Sequence, residues 1–156
     1  MNVHGDATEP PKTIREMINN IGKADIIMSY FDFNCKSIFV KSNNRPFIRR
    51  LISRLFVHTI NFITFNNIKY YNGPSIHLVE NIKLYKGKTN GFGLYTELII
   101  FLLKLNKTYL EVLVECTDRQ RGTSNAVTLS NILSVGKTVF LIFLGQFSYI
   151  FKKIIK

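Results

Sequence analysis

The chain has 156 residues, 46% of them hydrophobic, which excludes a disordered tail and is enough for one domain with a buried core. Lysine and arginine number 21 against 10 acidic residues, a formal charge of +11 that points to anionic partners: nucleic acid, a phosphorylated small molecule or an acidic lipid surface. Two isolated cysteines, Cys35 and Cys116, exclude a disulfide framework or a CxxC centre and fit a reducing cytosol.

The N-terminal stretch MNVHGDATEPPKTIREM has no apolar core, so no secretory signal is expected there. ATEPPKTIREMINNIG predicts the first helix, with Thr8 as its cap, prolines in its first turn, Ile14, Met17, Ile18 and Ile21 as its apolar stripe and Gly22 ending the pattern. KADIIMSYF predicts a short apolar strand, and DFNCKSIFVKSNNRP a polar, irregular connection. RPFIRRLISRLFVHTINFITF predicts a second helix, with Phe47, Leu51, Phe56 and Ile60 on one side and Arg45, Arg49, Arg50 and Arg54 near its start. Cations at a helix N-terminus oppose the macrodipole, so the cluster is either tolerated by solvent or set to meet an anion.

IKYYNGPSIHLV predicts a strand and turn, broken at Asn-Gly-Pro. GFGLYTELIIFLLKLNK predicts a third helix entered through glycines, and TYLEVLVECT another strand. A loop with Arg119, Arg121, Gly122, Thr123 and Ser124 follows, and then a long last helix from TLSNIL to the C-terminus. The longest apolar run in that helix, TVFLIFLGQFSYIF, has 14 residues, short for a span of about 20. It suits a buried helix or one lying in a membrane interface with KKIIK toward anionic headgroups. The order helix–strand–helix–strand–helix–strand–helix predicts a layered α/β domain without internal repeats.

The blocks GDATEPPKTIREMINNIGKADI, RRLISRLFVHTIN, YYNGP, GFGLYTELI and LEVLVECTDRQRGTSN resemble, in order and spacing, family 2 glycosyltransferases. The similarity is to the branch that includes dolichyl- and polyprenyl-phosphate sugar transferases, whose EVP…R..G.S signature the last block resembles. It covers nearly the whole chain but only the C-terminal part of such an enzyme. The fold so implied is an incomplete GT-A-like layered sheet with flanking helices, lacking the N-terminal nucleotide-binding half. Residues 1–134 would be its metal- and acceptor-binding part, and 135–156 an amphipathic basic helix, membrane-interfacial in one reading.

The resemblance implies a hexosyl transfer from a nucleotide sugar to a polyprenyl phosphate or a glycan, assisted by Mg²⁺ or Mn²⁺. Asp6 matches the second aspartate of the family's DxD metal motif, with His4 at the first position; its plainer role is a helix-capping loop aspartate. Arg119, Arg121 and Ser124 would bind the donor or acceptor phosphates, the arginines neutralising charge on the leaving diphosphate. The plainer reading of that loop is a solvated turn. Arg49, Arg50 and Ser53 match the family's basic helix facing the acceptor phosphate, or else form a solubilising face. Asn72 and Gly73 match the edge of the sugar pocket. Glu97 is the candidate general base for a hydroxyl acceptor; a lipid phosphate is already ionised, and Glu97 would then orient a loop or an arginine. Tyr70, Tyr71, Phe92 and Tyr95 could stack on a sugar but also suit the core, and His77 reads as a packed or surface histidine.

Without the donor-binding half the chain is expected to be inactive alone, its other half supplied by a separate chain or by sequence upstream. The alternative is a non-catalytic basic module on a membrane surface or nucleic acid; no RRM, KH or helix-turn-helix signature supports the latter. The expected location is cytoplasmic, peripheral at the inner membrane face.

Overall fold

The computed structural model describes residues 1–2, 10–31, 47–87, 93–114 and 129–155, with backbone alone at 47–50, 129–130 and 152–154. Its elements are α1 (Pro11–Ile18), β1 (Ile26–Tyr30), α2 (Phe47–Thr64), β2 (Ser75–His77), α3 (Val79–Leu84), α4 (Leu94–Lys104), β3 (Tyr109–Leu113) and α5 (Leu129–Ile154). The fold is mixed α/β: a three-stranded mixed sheet in the order β2-β1-β3, with flanking helices. β1 runs parallel to β3 and antiparallel to β2, and Asn2 forms an antiparallel bridge to Ser75.

Pro11 opens α1 with a φ already suited to a helix, and Gly22 turns the chain out at φ +88°, where only glycine is at ease. The buried stripe of α1 is Thr13 and Met17, one turn apart. Ile18 and Ile21, expected in that stripe, are exposed, because the helix ends at Ile18 and its contact face is set by Met17 packing behind β1.

Alternation along β1 splits the core into two layers. Ile27 points toward Met17, Phe31 and Val114 on the α1 side. Ile26 and Met28 point the other way, into a larger cluster with Val57 and Ile60 of α2, Leu98, Ile99 and Leu102 of α4, and Ile142 of α5. The start of the parallel pair is held by a side-chain clamp across 83 residues of sequence. The Asp25 carboxylate accepts from the Thr108 backbone N–H at 2.9 Å and from its hydroxyl at 2.7 Å, and Lys107 stands 3.8 Å away. These bonds, led by the Thr108 hydroxyl, hold the carboxyl below the ordinary aspartate range.

Two features differ from expectation. Residues 68–71 are not a strand, although Ile68 and Tyr71 are buried. The Asn61 side chain replaces a strand partner: its Nδ2 donates to the Ile68 carbonyl at 2.8 Å, and its Oδ1 accepts from the Ile68 N–H at 3.2 Å and the Tyr71 hydroxyl at 2.7 Å. The strand begins only after Gly73-Pro74, and a six-residue helix, α3, follows that no apolar period announces.

α5 lies along the body rather than away from it. Thr138, Ile142 and Gln146, spaced by four, form its buried stripe. Gly93, at the entry to α4, packs so closely on Thr138 that an added Cβ would stand 2.5 Å from the threonine methyl. The Lys104 ammonium donates to the Gly145 carbonyl at 3.2 Å.

Candidate functional site

The parallel strands β1 and β3 finish at the same end of the sheet, at Tyr30 and Leu113. Because β2 is antiparallel, its first residue, not its last, lies at that end, with Asn72-Gly73-Pro74 leading into it. Ser29 fixes this junction: its N–H and its hydroxyl both donate to the Pro74 carbonyl at 3.0 Å. Gly73 is needed for the approach, since a Cβ there would meet the Ser29 hydroxyl at 2.5 Å and the Ser29 carbonyl at 2.7 Å.

The first turn of α4 joins the same end. The buried Thr96 hydroxyl donates to Asn72 Oδ1 at 3.0 Å, and Glu97 follows it, half-buried, in the first turn of the helix. A carboxylate there is favoured by the helix dipole. Lys69 adds an exposed ammonium 4.0 Å from the centre of the Tyr30 ring, and its bond to Tyr30 holds it above the ordinary lysine range. Val114, bonded to the Tyr30 carbonyl at 3.0 Å, and Asn2, beside Ser75, are the last described residues before 3–9 and 115–128. In open α/β sheets ligands bind outside the carboxyl ends of the strands, and this is that end.

Of the expected site residues, the fold brings together Asn72, Gly73 and the helical turn of Glu97. Ser53 is half-buried on α2 and makes no hydrogen bond to this cluster among the described residues. Arg49 and Arg50 belong to the first turn of α2 by backbone; their side chains lie outside the described residues, as do Asp6, Arg119, Arg121 and Ser124. Tyr71 is a core residue at 1% exposure, and Tyr70 packs edge-on to Phe31 with centroids 5.4 Å apart. Sequence reasoning missed Ser29, Thr96 and Lys69. The first two carry a usable signal, a small hydroxyl residue interrupting an otherwise apolar run.

Of its two expected placements, packed or surface, His77 takes the packed one. Its Nε2 lies 2.8 Å from the Ser75 hydroxyl, which also meets Asn2 Oδ1 at 3.3 Å. Burial, aided by the positive N-terminal amine, pushes the imidazole down to about 4 from 6.5. The folded state therefore prefers the neutral ring. The stability so gained is complete above pH 6.5 and drains away as pH falls toward 4. At about 1.4 kcal/mol per pH unit the whole effect is on the order of 3 kcal/mol. Urea unfolding at pH 7.5 and pH 5 should show the wild type losing about 2 kcal/mol more than His77→Gln. Equal losses would refute the assignment.

A hollow of about 170 Å³ opens between Thr64, Asn66, Ile100, Lys104, Gln146 and Tyr149, toward the far end of α4 from Thr96. Among the described residues no three carboxylate, imidazole or thiol groups gather as a metal-binding set. No family model, curated protein or solved structure matches the chain.

Proposed function

We propose that the chain forms the metal- and acceptor-side part of a GT-A-like family 2 glycosyltransferase, moving a sugar from a nucleotide sugar to a polyprenyl phosphate or a glycan hydroxyl. The observation that supports this reading is the convergence at one sheet end. Asn72-Gly73 and Thr96-Glu97 meet there, and the chain enters residue 3 and residue 115 from it, the segments that carry Asp6 and Arg119, Arg121 and Ser124. The resemblance assigns donor, acceptor and phosphate roles to these same segments.

In this reading the acceptor oxygen attacks the anomeric carbon as the bond to the diphosphate breaks. A hydroxyl acceptor gives its proton to Glu97, while a lipid phosphate needs no base. Arg119 and Arg121 neutralise the departing charge, and Thr96 positions Asn72 toward the sugar. A divalent ion would add Lewis-acid charge at the diphosphate, held by Asp6. Asp6 lies outside the described residues.

The test is a thermal-shift titration with UDP-, GDP- and CDP-linked sugars, with and without Mn²⁺. The donors should raise the melting temperature alike, through the diphosphate they share, by roughly 5–10 °C near 100 times their Kd and only with metal, because the half expected to read the base is missing. Asp6→Ala should abolish the rise and Glu97→Gln should keep it, since a base serves transfer rather than binding. A folded sample that responds to no donor overturns the reading.

A further inference from the structure

We propose that α2 and α5 form a lipid-docking face that seats the domain flat on an anionic membrane, with α5 lying in the interface rather than crossing it. This rests on the helices alone and not on the transferase reading. α5 contains one segment, Asn131–Phe151, whose length and mean hydropathy would allow it to span a bilayer although polar residues interrupt it, yet only 17% of its most apolar stretch is buried. Its buried stripe occupies one side. On the other, Phe140, Phe143, Leu144, Phe147, Ile150 and Phe151 are all exposed, and at about 100° per residue they fall within one arc of roughly 120°. No charged residue interrupts them, and Lys137 stands exposed at the edge of the arc.

α2 packs against α5 and buries Val57 and Ile60 in the core that also takes Ile142. Its outward side carries Leu51, Leu55 and Phe62 at helical spacing, with the exposed His58 among them and Phe62 82% exposed. Two adjacent helices thus turn apolar faces away from one core, a larger patch than scattered surface residues explain.

Charge selects the occupant. With +11 overall, a second copy of the chain is repelled, whereas an anionic headgroup layer is attracted by about 1 kcal/mol per basic residue near the surface. Aromatic side chains with Lys137 at the margin, followed in the sequence by Lys152, Lys153 and Lys156, are the composition of an interfacial helix. Orientation follows from packing. Contacts to the body run from Thr138 through Ile142 and Gly145 to Tyr149, whose ring lies 5.3 Å from the Lys104 ammonium. A helix held along that length cannot stand across a bilayer without stripping the core.

The chain has no tryptophan, so Phe140→Trp and Phe151→Trp each supply a single fluorescent probe. Both should shift to the blue with vesicles containing phosphatidylglycerol and respond weakly to pure phosphatidylcholine. Both should be quenched alike, and best by lipids brominated near the headgroup. Phe143→Asp with Phe147→Asp should lower partitioning by about tenfold or more while circular dichroism and melting stay unchanged. Folded protein that ignores both vesicles overturns the proposal. So does a depth difference between the probes, which marks a spanning helix, or a concentration-dependent dimer that buries them without lipid, which marks a protein interface.

Discussion

Replacing Asn61 by alanine lowers the stability of the chain by about 3 kcal/mol, or roughly 6–12 °C in melting temperature for a domain of this size. One amide makes three bonds: to the Ile68 carbonyl, the Ile68 N–H and the Tyr71 hydroxyl. Ile68 and Tyr71 are each 1% exposed, so water cannot readily replace the lost partner: the Ile68 N–H and carbonyl lose theirs, and the Tyr71 hydroxyl, with Thr64 and Asn66 also in reach, loses its acceptor. Burial already pushes the Tyr71 hydroxyl above its ordinary titration range, which marks how dry the spot is. Urea unfolding of Asn61→Ala beside Asn61→Asp checks the account. The aspartate keeps an acceptor for Tyr71 and the Ile68 N–H but cannot donate to the Ile68 carbonyl. A loss below about 1 kcal/mol in the alanine variant would mean that residues 68–71 are held by something else.

Gly73→Ala has a comparable cost, about 2–3 kcal/mol, and it acts at the candidate site. The new methyl would stand 2.5 Å from the Ser29 hydroxyl, 2.7 Å from the Ser29 carbonyl and 3.1 Å from the Tyr70 ring. A hydroxyl can rotate away; a carbonyl in a strand paired on both sides cannot. The 72–74 segment must therefore shift, taking Asn72 away from the Thr96 hydroxyl. Adding Ser29→Ala should recover only a small part of the loss, because the carbonyl clash remains. Melting of the single and double variants tests this, and a fully stable Gly73→Ala would remove the reason for glycine at the junction. On the transferase reading the same variant also loses the donor-induced thermal shift.

Local signals carried much of the architecture. Pro10 and Pro11 announced the start of α1, the apolar period announced α2 and α4, and the runs IIMSY and YLEVL announced the two strands that pair in parallel. Those signals act between residues a few positions apart, and such residues meet in any fold that contains the helix or strand. Some residues of the candidate site were named from the sequence. Asn72, Gly73 and Glu97 were singled out by resemblance to a family, and the fold gathers their segments. Ser53 it leaves on α2, without a hydrogen bond to them among the described residues.

Other features depend on partners far along the chain, which no local pattern encodes. Asp25 and Thr108 lock the parallel pair across 83 residues. The stretch from Ile68 to Tyr71 has strand composition and lost its strand to one asparagine amide arriving from α2. The run TVFLIFLGQFSYIF is apolar on every side, so its sequence determines a helix but not which face is buried. Packing decided that: Gly93 admits Thr138, the core takes Ile142, and the remaining phenylalanines are left outward.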